Sequence, residues 1–337
     1  MNRPTPRPGV YELYWRFAAE RQRTFEARVA GTSWPWSDDP ILREYKFCNV
    51  FRASDRVSLY MIRDVAYRDD DSTPEDRIFQ IVAFRTFSNV RTWDSVTALL
   101  ERSPRLADLE SGAFEAALNR ARDVNGGLYT GAFILCATDA YGRSTKHLNH
   151  VELFKDMFLR MHLADLLLSA RSLREVYDLI HVFPLMGDFM SYQTAIDLNY
   201  SEHVNFSEND FTKPGPGAIR GIKKVFSDLG PFTPEDAIMW MVDHQDEEFR
   251  RHGLTFRGLW GRPLHAIDAQ GLFCETDKYC REAVPELKSG RSRIKARFRP
   301  SAEPVTLFFP PKWGLNDRLP SEAVLGLAPT AQLSPIF

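Results

Sequence analysis

The sequence runs to 337 residues, 44% hydrophobic and 26% charged, a balance that supports a sizeable core and excludes a disordered tail. Lys and Arg number 43 against 45 Asp and Glu, a formal net charge of -2. That excludes a wholly basic, histone-like nucleic-acid binder but leaves room for a local basic groove, because the patch matters more than the sum. The cysteines Cys48, Cys136, Cys274 and Cys280 show neither a CxxC pair nor zinc-ligand spacing, so no metal or other cofactor is expected. The N-terminal MNRPTPRPGV has no apolar stretch, and no run approaches the roughly 18 apolar residues that span a bilayer. The expectation is a cytoplasmic protein with reduced thiols and no membrane partner.

In chain order, residues 11–30 place Tyr14, Phe17, Ala18, Phe25 and Val29 on one helical face and stop at Gly31. After the aromatic turn SWPWSDDP, Asp39 is a candidate N-cap and Pro40 a first helical residue, opening a helix through about residue 67 with a break near Ala53–Ser54. Further helices are predicted over 74–87, 94–101, 109–122, 147–170, 172–183, 233–253 and 263–283. NGGLYTG (125–131) reads as a turn joining short strands, and VTLFF (305–309) as a strand. The pattern predicts a mostly α protein with minor β elements.

Four segments carry candidate chemistry. In KFCNVFRASDRVS (46–58), Asn49, Arg52 and Arg56 share one helix face at spacings of three and four, a polar stripe suited to a cleft: Asn for a base edge, Arg for phosphate. A solvated face, with Asp55 pairing to an arginine, is the competing reading. In the stretch 182–224, one helix ends, a Pro/Gly turn follows and a second helix begins at once, so the turn amides at Gly187 and the helix N-terminus could hold a DNA phosphate. Asp210 follows, near Lys213, Arg220, Lys223 and Lys224, a carboxylate placed to stabilise an oxocarbenium-like sugar or to orient water. An ordinary αα-hairpin with a loop aspartate competes. LFCETDKYCR (272–281) crowds Glu275, Asp277 and Lys278 near aromatics, or presents a merely solvated charge cluster. KSGRSRIKARFR (288–299) carries Lys288, Arg291, Arg293, Lys295, Arg297 and Arg299 with no acid, which reads as a nucleic-acid backbone contact or as a charged surface loop.

YWRFAAERQ (14–22), PWSDDPILREYKFCNVFRASDRVS (35–58), FPLMGDFMSYQTAIDLNYS (183–201), GPGAIRGI (215–222), GRPLHAIDAQGLFCETDKYCR (261–281), GRSRIKARF (290–298) and PPKWG (310–314) together resemble the α-glutamyl/putrescinyl-thymine pyrophosphorylase family of DNA base hypermodification proteins. The resemblance implies a fold derived from helix–hairpin–helix DNA glycosylases: a single catalytic unit over 1–337, two interleaved helical lobes around a cleft, a helix–hairpin–helix element at about 172–226 and a basic C-terminal segment at 288–318. It implies double-stranded DNA carrying modified bases as the partner, with the target nucleotide flipped out. Two chemistries follow. One is excision of a bulky modified base, such as glucosylated hydroxymethylcytosine, in anti-phage defence. The other is an amino-acid or polyamine transferase that displaces pyrophosphate from activated 5-hydroxymethyluracil in DNA.

The hairpin of helix–hairpin–helix glycosylases usually reads Leu-Pro-Gly-Val-Gly; here Phe183-Pro184-Leu185-Met186-Gly187 lacks the first glycine. Phe189 stands where lyase-type glycosylases place lysine, which points to a water nucleophile. Asp210 is the positional match for the glycosylase aspartate, with Asp197 the second candidate. Tyr14, Trp15, Asn49, Glu275 and Asp277 are the expected base contacts. Arg52, Arg56, Gly187, Lys213, Arg220, Lys223, Lys278, Arg291, Arg293, Lys295 and Arg297 are the expected backbone contacts. The sequence favours a monofunctional glycosylase, because hairpin and aspartate suffice for it, over the transferase. A non-catalytic DNA-binding module is the third reading.

Overall fold

A computed structural model describes residues 4–130, 139–287, 294, 296–301 and 304–320. The mostly α class holds: among the described residues the only sheet is a two-stranded antiparallel pair, β1 (Thr5–Pro6) and β2 (Phe226–Asp228), with Thr5 opposite Asp228. Helix α1 (Val10–Val29) buries Tyr14, Phe17, Ala18 and Phe25 as its periodicity requires, and Trp15 with them. α2 (Pro40–Glu44) begins as expected: Asp39 Oδ1 accepts the amides of Ile41 at 2.8 Å and Leu42 at 3.2 Å.

It then stops far short of residue 67. From Tyr45 the chain is extended, because other partners take its backbone: the Lys46 amide donates to the Ala296 carbonyl (2.9 Å), the Cys48 amide to Glu275 (2.9 Å) and the Asn49 amide to Asp55 (2.9 Å). A tight 3-10 turn (Arg52–Ser54) leads into α3 (Arg56–Tyr60), which continues as wide π turns to Ala66.

α4 (Pro74–Phe87) is capped by Thr73 and buried on every side from Asp76 onward. Around it lie α5 (Val90–Leu100), α6 (Leu106–Ser111), α7 (Ala113–Asn125), α8 (Lys146–Phe154) with π turns to Arg160, and α9 (Leu163–Leu168). The expected 147–170 helix breaks where His162 adopts a left-handed conformation (φ 50°). α10 (Leu173–His181) turns directly into α11 (Asp188–Tyr200), which is buried from Met190 to its end.

α12 (Pro216–Val225), α13 (Pro234–Asp243), α14 (Gln245–Arg251) and α15 (Ala266–Ala283) complete the helices. α12 packs on α15 so closely that a Cβ at Gly221 would collide with the Phe273 carbonyl, and one at Gly217 with the Cys274 sulfur. Gly217 and Gly221, two of the three glycines of GPGAIRGI, therefore serve helix–helix approach. Residues 305–309 form no strand: the Phe309 amide and carbonyl are both taken by the Asn316 side chain, at 2.9 and 2.8 Å. No strand forms over 125–130 either, and residue 131 of that stretch lies outside the described residues.

Candidate functional site

A cleft of about 530 Å³ opens between α1, the segment 34–49, α3 and the start of α5, with Phe298 and residues 304–306 as a further wall. Its size suits a nucleotide-sized ligand. One wall is aromatic. Trp34, 36% exposed, stacks on Phe298 (ring centroids 5.1 Å apart, 26° between planes) and meets Trp36 edge-on at 5.2 Å. A Trp with one face covered and the other open is a platform on which a further flat ring can stack.

The other walls are cationic, with Arg21, Arg28, Arg56, Arg63 and Arg91 lining the cleft. Arg21 and Arg28, seven residues apart on α1, share a face. Arg21 is committed to the protein, donating to Cys48 O (3.1 Å), Phe47 O (3.4 Å) and Asn49 Oδ1 (2.5 Å). The Arg28 guanidinium lies over the Trp36 ring at 5.7 Å, and Arg63 pairs with Asp64 at 2.7 Å. Arg56, first residue of α3, and Arg91, second residue of α5, are exposed and have no hydrogen-bonding or ion-pair partner for their side chains among the described residues. Those two are the cations left for an anionic ligand. Asp94 is the single acid among the described lining residues, and it accepts the Tyr60 hydroxyl. Burial first, and the Asp94 carboxylate second, push the Tyr60 phenol far above its usual range, so it stays a donor at neutral pH.

The structure brings only part of the predicted site here. Asn49 and Arg56 line the cleft, though not from one helix face. The Asn49 amide is largely occupied: Oδ1 by Arg21, and Nδ2 by donation to Ser54 O at 2.7 Å. Arg52 turns inward instead. Its Nη1 lies 2.6 Å from Asp197 Oδ1, and its Nε donates to Gln193 Oε1 at 2.8 Å. Asp197 has no exposed side-chain surface and is also bonded by Arg85. Burial would raise its carboxyl, but the two guanidiniums outweigh burial and hold it below the usual carboxylate range. Asp197 is thus the buried counter-ion of two arginines, and neither it nor Arg52 lines the cleft.

Tyr14 and Trp15 are both 0% exposed, packed on Phe273 and Phe249, with no face left for a base. Glu275 accepts the Cys48 amide and the Lys278 ammonium (2.6 Å), while Lys278 also sits over the Phe47 ring at 4.5 Å. Both fasten α15 to the extended segment. Asp277, wholly buried, gathers Arg220 (3.2 Å), Lys224 (3.0 Å) and Arg281 (2.7 Å). It is the charge hub of the α12–α15 contact rather than a base reader, and Arg220 is consumed by it. Lys223 remains exposed on α12.

In the hairpin, Leu185 takes the left-handed conformation (φ 73°) that a glycine would adopt without strain, and Gly187 caps α11. The first turn of that helix already carries a negative charge, the protein's own Asp188, which receives the Tyr177 hydroxyl at 3.1 Å and lies 3.6 Å from Lys213. Asp210 is exposed and lines a separate open hollow together with Asp178, Asp188, Glu235 and Asp236; it shares no lining residue with the arginine cleft. So many carboxylates repel a phosphate, and Lys213 is engaged there by Asp188 and Glu235, both at 3.6 Å. Arg291, Arg293 and Lys295 lie outside the described residues. Arg297 pairs with Glu44 and covers the Tyr45 ring at 4.8 Å. Sequence reading missed Trp34, Trp36, Arg21, Arg91 and Asp94. The aromatic pair was visible in SWPWSDDP, but nothing local ties that turn to α5.

Residues 8–289 match the family described as 5-hmdU DNA kinase, helical domain. The chain belongs to this family. It is 28% identical over 289 residues to the 5-hmdU DNA kinase of Bacillus phage SP10, an alignment that covers 80% of this chain and 45% of the relative. The chain thus spans about half the length of the relative it matches. No solved structure matches. The resemblance read from sequence therefore holds at the level of 5-hydroxymethyluracil base hypermodification, and a relation to helix–hairpin–helix glycosylases is found in neither comparison. These findings overturn the excision reading: the relatives are named for modifying hydroxymethyluracil in DNA, not for removing a base. Among the described residues no helix is long and apolar enough to cross a membrane.

Proposed function

We propose that this chain is a DNA-directed enzyme unit that holds a 5-hydroxymethyluracil nucleotide in the arginine-lined cleft for substitution at the exocyclic hydroxymethyl group, leaving the glycosidic bond intact. The family match carries this reading, and the cleft supplies what it needs. Trp34, with Phe298 behind it, offers a stacking face for a base displaced from the duplex. Arg56 and Arg91 offer two uncommitted guanidiniums for the flanking phosphates. The hydroxymethyl group itself accepts the transferred group. Phosphoryl transfer is the chemistry named for the phage relative. Displacement of pyrophosphate from an activated hydroxymethyluracil by an amine is a different step at the same group: it forms a C–N bond at the exocyclic carbon and breaks the C–O bond to pyrophosphate, whereas phosphoryl transfer forms an O–P bond at the hydroxymethyl oxygen and breaks a P–O bond of the donor.

The test is to incubate the protein with duplex DNA containing 5-hydroxymethyluracil, with a nucleoside triphosphate in one arm. A second arm pairs DNA bearing the pyrophosphorylated base with an amino acid or polyamine. Digested nucleosides and released bases are then identified by mass spectrometry. A nucleoside of altered mass on intact strands supports the proposal and names the chemistry. Free base with alkali-labile sites would overturn it.

A further inference from the structure

Asp94 poses an electrostatic question. It is the one carboxylate among the described lining residues of a cleft that carries five arginines, yet it pairs with none of them. A carboxylate there weakens phosphate binding, so its place has to be explained by something other than an anion. Its Oδ1 accepts the Tyr60 hydroxyl, and its Oδ2 receives no hydrogen bond among the described residues. Tyr60 is itself held: its ring stacks on Phe84 with centroids 5.6 Å apart and planes at 20°, and Phe84 is fully buried. The carboxylate is therefore oriented from one side and open on the other. What suits an oriented, uncommitted acceptor inside a cationic, aromatic cleft is a neutral hydroxyl donor on a flat ring.

We propose that Asp94, oriented by Tyr60, recognises the 5-hydroxymethyl group by accepting its hydroxyl proton in a hydrogen bond on Oδ2, and so distinguishes 5-hydroxymethyluracil from thymine. This rests on the cleft being the base site. Thymine offers a methyl group in place of the donor and leaves the carboxylate desolvated without a partner. Because Asp94 is exposed in the free protein, the discrimination is on the order of tenfold rather than the far larger factors of a sealed pocket.

The experiment is equilibrium binding of the full chain to duplexes identical except for one 5-hydroxymethyluracil or thymine. Wild type is expected to prefer the hydroxymethylated duplex about tenfold. Asp94→Asn and Asp94→Ala bind both duplexes alike, with affinity for the thymine duplex retained or raised. Tyr60→Phe, which leaves the ring packing and removes the orienting hydroxyl, reduces the preference in part. An Asp94→Asn protein that keeps the full preference, or a wild type that has none, overturns the inference. Arg56→Ala with Arg91→Ala is the separate control: loss of affinity for both duplexes supports the cleft as the DNA site whatever Asp94 does. If that double variant binds both duplexes as wild type does, the cleft reading fails and the inference falls with it.

Discussion

Arg52 and Asp197 meet at 2.6 Å in the interior, joining the 3-10 turn that follows the extended segment to the wholly buried face of α11. Arg85 of α4 closes the other oxygen, so one carboxylate balances two guanidiniums. Asp197→Asn leaves two buried cations without compensation and is expected to cost roughly 3–5 kcal/mol in denaturant unfolding. A variant as stable as wild type would show that water reaches the pair.

The α12–α15 contact depends on a missing side chain. Gly221→Ala drives a methyl group into the Phe273 carbonyl, and the helices must separate to admit it. Overpacking of this kind costs about 1–3 kcal/mol. Gly271→Ala on α15, where a Cβ meets nothing within 4 Å, is the matched control and should be neutral or mildly stabilising by thermal melting.

Asp268 gives the fold a pH signature. It is 4% exposed and accepts the backbone amides of Arg52 (2.9 Å) and His265 (3.1 Å). Burial, reinforced by the nearby Glu208 carboxylate, pushes its pKa up to about 7. A carboxyl raised above its unfolded value of about 3.9 binds its proton more tightly when folded. Its contribution is complete below that unfolded value and is lost as pH rises towards 7. Wild type should therefore lose stability relative to Asp268→Asn between about pH 4 and 7, by at most about 1.4 kcal/mol per pH unit. Parallel pH profiles for the two proteins would refute this.

Replacing Arg56 and Arg91 with alanine should weaken DNA binding without lowering the melting temperature, since neither side chain is bonded within the described residues. If each contacts one phosphate, the slope of log affinity against log salt falls by about one per residue. An unchanged slope would place the DNA elsewhere.

Trp34→Ala removes the open stacking face while Phe298 and Trp36 remain. The expected loss is about 1–3 kcal/mol of DNA affinity, of the size a single base–aromatic stack provides. Quenching of wild-type tryptophan fluorescence on DNA addition, diminished in the variant, is the accompanying readout.

Local physics was legible in the sequence wherever it acted alone. The Asp39–Pro40 start, the Pro74–Phe87 helix and the α10–turn–α11 hairpin follow from capping and periodicity, and the structure has them. Tertiary partners defeated the reading elsewhere. The 45–51 segment is helical by composition but extended because residues 55, 275 and 296 claim its backbone. Charge was the most misleading signal: Asp277 and Arg220 look like solvent-facing site residues in one dimension and neutralise each other in three. The site was half visible. Asn49 and Arg56 were named from their spacing, whereas Arg91 and Asp94 enter the cleft only because α5 folds back beside α3.

The segment that matches the family ends at residue 289, but the walls of the cleft do not. Phe298, Pro304, Val305 and Thr306 build one side of the cleft. Farther on, the Lys312 ammonium donates to the carbonyls of Asn199 (2.6 Å), Ser201 (2.7 Å) and Val204 (2.8 Å), clasping the last turn of the helix that carries Asp197. Trimming this protein to its family-matched segment would remove one wall of the cleft and the clasp on α11 together, so the segment held in common and the length of chain that builds the cavity are not the same.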